Sequence, residues 1–347
     1  MLLNSHNLSL KLKKNYRKTL YQTKKIPLIK RIFPKPHANS VRIEICGSCN
    51  AKCLFCHSGN VPFDKEKIIS PKSFDDTLYH LKKINLLTKN VYLYDRGEPF
   101  MHKEIGNILD ICRQHGLNAL MSTNASRVPD LTNDQWKTIK VLKVSMSGIT
   151  EKSYKLIYGL NVRQVRRNVE KIARHASTSC DLRVNWLKYT FNREEEKEAR
   201  RWLESLGFNF RDKLASLIQM EKLIDLKEKR ISESELDNLK NYLLLDEKKN
   251  VSLNQLLLDN VSSGNIKTVD NFVCFQWDHI IIHNDGELLK CCSLSPFYPE
   301  NRLGNIMELN ADEIKRRKYE MTKTCNKCIK YGFAIQTKDV YSKIWRA

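Results

Sequence analysis

Long apolar runs are missing from this chain of 347 residues. None approaches the ~20 residues that a membrane-spanning helix needs. The opening Met1-Leu-Leu-Asn-Ser-His-Asn lacks the continuous apolar core of a secretory signal. A cytoplasmic protein is therefore expected. Internal repeats and low-complexity stretches are also lacking, which excludes a solenoid and a compositionally biased linker protein. Acidic residues are absent from positions 1–43, where Lys11, Lys13, Lys14, Arg17, Lys18, Lys24, Lys25, Lys30, Arg31 and Lys35 gather. This arm accounts for much of the formal charge of +21. Such a field attracts nucleic acid, an acidic membrane surface, or a phosphorylated or nucleotide-linked substrate, and it equally suits a solvated arm with no fixed partner.

What remains is an ordinary globular composition, 41% hydrophobic and 29% charged, long enough for two domains. Pro34-Lys-Pro36 marks the end of the arm. Strands and helices then alternate. Strands are expected at Val41–Cys46, Val91–Tyr94, Leu117–Met121, Val141–Met146, Leu182–Tyr189 and Phe208–Lys213. Helices are expected at Ser70–Ile84, Ile105–His115, Leu131–Thr138, between Glu151 and Ala176, and at Glu194–Leu206. Six strand–helix repeats imply a parallel sheet, closed part-way into a (β/α)6 TIM-like barrel or left open as a doubly wound sheet. In a barrel, chemistry belongs on the loops after the strands. Residues 219–260 read as mainly helical, with Ser232-x-x-Glu235 as a capping box. From about Asn271 the texture turns to short strands, turns and cysteines. The domain expectation is an arm at 1–40, a barrel at 41–213, a helical linker at 214–270 and a small α+β domain at 271–347.

Eleven cysteines are present, and only Cys112 and Cys180 lie between the two groups. Clustered cysteines in a reducing compartment bind metal more often than they pair. Cys49-Asn-Ala-Lys-Cys53-Leu-Phe-Cys56 follows directly on the first strand. Three thiolates in so short a loop can wrap one 4Fe–4S cube and leave one iron open to a non-protein ligand. A zinc site would want a fourth ligand, which Cys46 or His57 could supply. Cys46 itself falls within the strand pattern and reads as core.

This x3, x2 spacing with Phe55 before the last cysteine resembles the radical S-adenosylmethionine (SAM) superfamily. The resemblance implies that the open iron binds SAM and that reductive cleavage yields a 5′-deoxyadenosyl radical, which abstracts hydrogen from a substrate. Companion segments follow in order. Asp95-Arg-Gly97-Glu98-Pro99 is similar to the family's Gly-Gly-Glu segment at the amine of SAM, with Arg96 in place of the first glycine. Met121-Ser122-Thr123-Asn124-Ala125 resembles its Thr-Asn-Gly stretch at the ribose side, and Ala125 in place of glycine implies a less unusual backbone there. Val144-Ser145-Met146-Ser147-Gly148 resembles its Ser-x-Asp/Ser-Gly element. Gly97, Glu98, Ser122, Asn124, Ser145 and Ser147 are therefore the expected SAM contacts. Asn185, Trp186 and Lys188 on the fifth strand face SAM, substrate, core or solvent.

Cys274-x11-Gly286-x4-Cys291, with Cys325-x2-Cys328 later, resembles the opening of the SPASM and Twitch extensions of radical SAM enzymes. Asp285-Gly286 suits a hairpin turn that brings Cys274 and Cys291 together. No cysteine follows Cys328, so the match is to Twitch, with one auxiliary 4Fe–4S cluster. Cys292 competes with Cys291 as ligand, and zinc also suits four cysteines. A complete ligand set implies an electron acceptor, hence net oxidation, crosslinking or epimerisation of a carbohydrate-like or peptide substrate. The expected partners are a flavodoxin- or ferredoxin-type electron donor and that substrate. A zinc-stapled nucleic-acid-binding protein and a radical SAM enzyme acting on RNA are the competing readings.

Overall fold

Six strands follow one another along the chain, each parallel to its predecessor. In the computed structural model they are β1 (Ser40–Ile43), β2 (Asn90–Tyr92), β3 (Asn118–Thr123), β4 (Ile139–Ser145), β5 (Asp181–Lys188) and β6 (Asn209–Leu214). The structure describes residues 38, 40–56, 64, 67–176, 179–215, 217, 219–243, 245–246, 251–252, 274–331 and 333. His57, Pro34-Lys-Pro36 and the lysines and arginines of the basic arm lie outside them.

The strand order never reverses from β1 to β6. A doubly wound sheet would change direction at a switch point, so the sheet is that of a partial (β/α) barrel. Helices α1 (Pro71–Lys83), α2 (Ile105–Gln114), α3 (Asn133–Thr138), α4 (Glu151–Tyr158), α5 (Val162–His175) and α6 (Glu196–Ser205) make the crossovers. Their ends follow local chemistry. Ser70 caps α1 by accepting from Ser73 N, with Pro71 at the first helical position. Thr132 and Gln135 form a reciprocal capping box on α3. Phe74, Leu78, Leu81, Ile108, Leu109 and Cys112 are fully buried against the outer face of the sheet. Each large apolar side chain so placed stabilises the fold by roughly 1.5–3 kcal/mol.

After β6 come α7 (Met220–Lys227) and α8 (Glu233–Tyr242). The helical reading of 219–260 is replaced at Leu245–Asp246 and Val251–Ser252, which form a small antiparallel pair, β7 and β8, while 244, 247–250 and 253–260 lie outside the described residues. Ser232 does accept from Glu235 N, but the Glu235 carboxylate meets Lys222 rather than closing a capping box.

The C-terminal strands hold a surprise for a sequence-based reading. β9 (His279–Ile282) pairs parallel with β1, on the side away from β2. β10 (Glu287–Leu289) and β11 (Arg302–Asn305) continue outward antiparallel, giving nine strands in the order β11-β10-β9-β1-β2-β3-β4-β5-β6. The expected hairpin at Asp285-Gly286 is present, and Gly286 takes φ +84 there, a region only glycine enters freely. Helices α9 (Ala311–Tyr319) and α10 (Lys323–Lys330) complete the described chain. No helix among the described residues is long and apolar enough to cross a membrane.

Candidate functional site

Each companion segment lies just past the end of a strand in the same parallel set. The Cys49–Cys56 loop leaves β1 and is pinned to α4, with Lys52 N donating to Tyr158 O at 2.7 Å and Leu54 N to Ile157 O at 3.0 Å. Phe55 takes φ +64, which bends the loop between its second and third cysteines. Cys49, Cys53 and Cys56 are all half-buried. Burial, the Glu98 carboxylate and Cys56 push the Cys49 thiol up to about 12. Burial, then Cys56 and Cys49, push Cys53 up as well. Three sulfurs close enough to repel one another's charge fit a donor set that a cationic iron cluster would neutralise. Ala51 N and Asn124 Nδ2 donate to Cys49 Sγ at 3.4 and 3.6 Å. Cys46 is buried and donates to Ser48 O.

Gly97 is required by close approach. A Cβ there would stand 1.8 Å from Cys46 O. Its N–H and that of Arg96 both donate to the buried Glu44 Oε1, at 3.0 and 2.8 Å. The Glu98 carboxylate turns inward, not toward an open site. Oε1 accepts from Thr123 Oγ1 at 2.6 Å and Phe100 N at 3.0 Å, and Oε2 accepts from Asn124 N at 2.6 Å. Burial pushes its pKa up to about 7, and these three donors pull the other way. Glu98 thus ties the segment after β2 to the end of β3. Glutamine offers one acceptor oxygen for those three donors. Glu98→Gln is expected to cost about 1–3 kcal/mol of unfolding free energy, read by urea denaturation. An unchanged midpoint would refute this brace.

Asn124 stands beside the cysteine loop, with Nδ2 also donating to Asn50 Oδ1 at 3.1 Å. Ala125 does not relax the backbone. It holds φ +55, the left-handed conformation, and Asn168 Nδ2 fixes its carbonyl at 2.8 Å. Ser122 and Ser145 are half-buried on the inner face of the sheet. Ser147 is not available with them. It is fully buried, and its hydroxyl takes Tyr158 OH at 2.9 Å and Leu187 N at 2.8 Å. Trp186 belongs to the core, and Lys188 points outward to Asp212 and Glu196 at 2.8 and 3.1 Å.

The second cysteine group lines a partly open pocket. Cys274, Cys291, Cys325 and Cys328 all line it, with Met220, Trp277, Leu294 and Ile329 as apolar walls. Thr322 caps α10 by accepting from Cys325 N, and the i, i+3 spacing sets Cys325 and Cys328 on one face. Cys292 instead turns to Gln276 Oε1 at 3.5 Å. Burial and neighbouring thiols push Cys274 up to about 11 and Cys291 up to about 12. Among the described residues, no three His, Cys, Asp or Glu side chains converge closely enough for a single metal ion.

No family model matches the chain. Among curated proteins it is similar to the probable GTP 3′,8-cyclase of Methanococcus vannielii, 24% identical over 175 residues, covering 48% of this chain and 56% of the relative. It is also similar to that of Methanocaldococcus jannaschii, 21% identical over 197 residues, covering 54% and 60%. The matches span about half the length of these curated relatives. Among solved structures, Streptococcus suis SuiB bound to S-adenosylmethionine superposes with TM-score 0.52 at 14% identity, covering 89% of this chain and 74% of SuiB. Native anSMEcpe with bound AdoMet gives 0.50 at 15%, covering 84% and 86%. The chain shares the fold of these two structures.

Within this fold, several residues escape a motif-based reading. Arg96, where the family has glycine, is one. Its guanidinium donates to Cys292 O at 2.6 Å and to Leu294 O, so it bolts the Gly97–Glu98 loop to the backbone beside Cys291. Glu44 is another, a buried acid just past the end of β1, between Ile43 and Ile45, that also meets His283 at 3.3 Å. Tyr154 Oη is buried near Cys53 and Glu98 with no hydrogen-bond partner. Lys290 and Lys318 are fully buried beside the four-cysteine cavity. A charged side chain between apolar neighbours was the available signal for Glu44 and Lys290, whereas Lys318 stands in a run of basic residues that gave none.

Proposed function

We propose that this chain is a radical SAM enzyme with two 4Fe–4S clusters, acting on a carbohydrate-like or peptide substrate. The observation that carries the reading is the pairing of a three-cysteine loop at the strand ends with a four-cysteine cavity beside β10. Cys49, Cys53 and Cys56 hold the first cluster, and Cys274, Cys291, Cys325 and Cys328 hold the second. When bound, the clusters and SAM supply a 5′-deoxyadenosyl radical for hydrogen abstraction and an acceptor for one electron. The chain's own residues do the rest. Gly97 admits a close approach of backbone to SAM. Asn124, Ser122 and Ser145 offer polar groups to its ribose. Glu98 and Ser147 brace the loops that carry these groups. Residues 41–213 form the SAM module and 271–347 the auxiliary module. Residues 214–270 join them, and 1–40 form a basic arm.

A peptide substrate gains support from the SuiB structure bound to its precursor peptide SuiA, with TM-score 0.52 at 16% identity. A nucleotide is suggested by the names of the curated relatives. An external flavodoxin- or ferredoxin-type protein supplies the reducing electron. The test is anaerobic reconstitution followed by iron and sulfide counting, with 5′-deoxyadenosine measured from SAM under strong reductant. About eight irons per chain are expected, two cubes of four. Bound zinc, with no SAM cleavage, would replace this reading with a zinc-stapled binding protein.

A further inference from the structure

A buried hydroxyl that makes no hydrogen bond costs stability, and folded proteins hold few of them. Tyr154 carries one. Its side chain is fully buried, and Oη is the one hydroxyl among the partnerless buried polar atoms of the described residues. The ring itself is well held. It stands 4.7 Å from the ring of Tyr158, one turn further along α4, and belongs to the main apolar core. Packing, rather than a partner, therefore sets where the hydroxyl lies.

Its surroundings are chemically specific. The Cys49–Cys56 loop is tied to the same helix, through Lys52 N to Tyr158 O and Leu54 N to Ile157 O. Cys53 lies between these two anchors and packs against the core that includes Tyr154. Burial pushes the Tyr154 phenol up, and Cys53 and then Glu98 push it further, so both groups stand close. Glu98 is already served, since its oxygens accept from Thr123 Oγ1, Phe100 N and Asn124 N. Burial, then Tyr154 and Cys53, act on Tyr158 as well, but its hydroxyl is committed to Ser147 Oγ at 2.9 Å. Tyr154 thus holds beside Cys53 a hydrogen that no described residue claims. A neutral thiol is only a weak acceptor. The sulfur of a cluster-bound thiolate carries charge, and a hydrogen bond to a charged acceptor is roughly twice as strong as a neutral one. In a site shielded from water, such a bond favours the more negative, reduced cluster and raises its potential.

We propose that Tyr154 Oη donates a hydrogen bond to the sulfur of Cys53 when the first cluster is bound, and so eases reduction of that cluster. The proposal rests on the radical SAM reading given above. Tyr154→Phe keeps the ring and deletes only the hydroxyl. In the full-length, reconstituted protein it is expected to make the first cluster about tenfold harder to reduce, a shift of ~59 mV to negative potential for one electron. Redox titration followed by electron paramagnetic resonance reads this on the signal that SAM perturbs. Tyr158→Phe, which loses a hydroxyl already bonded to Ser147, is expected to leave the potential in place. In the iron-free protein, Tyr154→Phe is expected to melt no lower than wild type, because the hydroxyl has no partner to lose. The proposal is overturned by an unchanged potential in Tyr154→Phe, or by an equal shift in Tyr158→Phe. It is also overturned if Tyr154→Phe lowers the iron-free melting temperature, since the hydroxyl would then be satisfied without the cluster. Any of these results, with iron uptake and SAM cleavage intact in wild type, sinks the proposal and leaves the enzyme reading standing. A wild-type chain that takes up no iron and leaves SAM uncleaved sinks both.

Discussion

Cys53→Ala is expected to reduce 5′-deoxyadenosine formation to background and to lower iron from about eight to about four per chain, while Cys325→Ala loses the same iron but keeps SAM cleavage. The contrast follows from the layout. Cys53 is the middle ligand of a loop pinned at both flanks to α4, so removing it leaves two thiols for a cube that needs three. Cys325 belongs to a separate cavity walled by Met220, Trp277, Leu294 and Ile329. On the proposed two-cluster reading, full turnover should fail in both variants. Product formation at wild-type rate in Cys325→Ala would show that the second cluster has no redox part. Loss of SAM cleavage in Cys325→Ala would show that the two sites fold as one. That outcome has a structural route, since Arg96 ties the SAM loop to the backbone at Cys292 and Leu294. Arg96→Ala with both clusters retained would separate these cases.

Much of this layout was legible because it is local. Hydrophobic periodicity placed the six strands and the crossover helices, whose starts at Ser70 and Thr132 the structure shows to be set by side-chain caps acting within one turn. Cysteine spacing picked out the two groups of thiols that the fold sets at the strand ends and around the second pocket. What escaped depends on partners distant in sequence. Nothing local says that β9 adds to the free edge of β1, which makes the auxiliary hairpin part of the main sheet. Ser147 reads like its neighbours Ser122 and Ser145, yet Tyr158 and Leu187 claim its hydroxyl. Glu98 reads as a ligand for an ammonium, yet Thr123, Asn124 and Phe100 surround its carboxylate. Ala125 keeps a glycine-like backbone because Asn168 holds its carbonyl and burial fixes the turn. The strand pair β7–β8 replaced an expected helix in a stretch with weak periodicity either way.

The buried lysines yield the other large effect, a change of sign. Lys290 Nζ donates to the carbonyls of Arg317 and Lys318, and Lys318 Nζ to those of Leu289 and Lys290, all between 2.7 and 3.0 Å. Carbonyls satisfy their hydrogens but supply no countercharge. Burial accordingly pushes Lys318 down to about 8, with Lys290 depressed as well. An isolated buried ammonium costs several kcal/mol. The thiols of Cys291 and Cys274 are the nearby groups that favour the charge of Lys318. On the proposed two-cluster reading, four thiolates around iron would carry net negative charge and meet these two ammoniums. In the iron-free protein, Lys318→Met should therefore raise the melting temperature, because it removes a charge with no anion to meet it. In the reconstituted protein the same substitution should lower the melting temperature. It should also shift the auxiliary midpoint potential negative by some tens of millivolts, given that about 59 mV corresponds to tenfold for one electron. Spectroscopically monitored redox titration reads the potential, and calorimetry reads both melting temperatures. A shift of the same sign with and without iron would mean that Lys318 acts by packing its aliphatic stem, and the charge argument would fall.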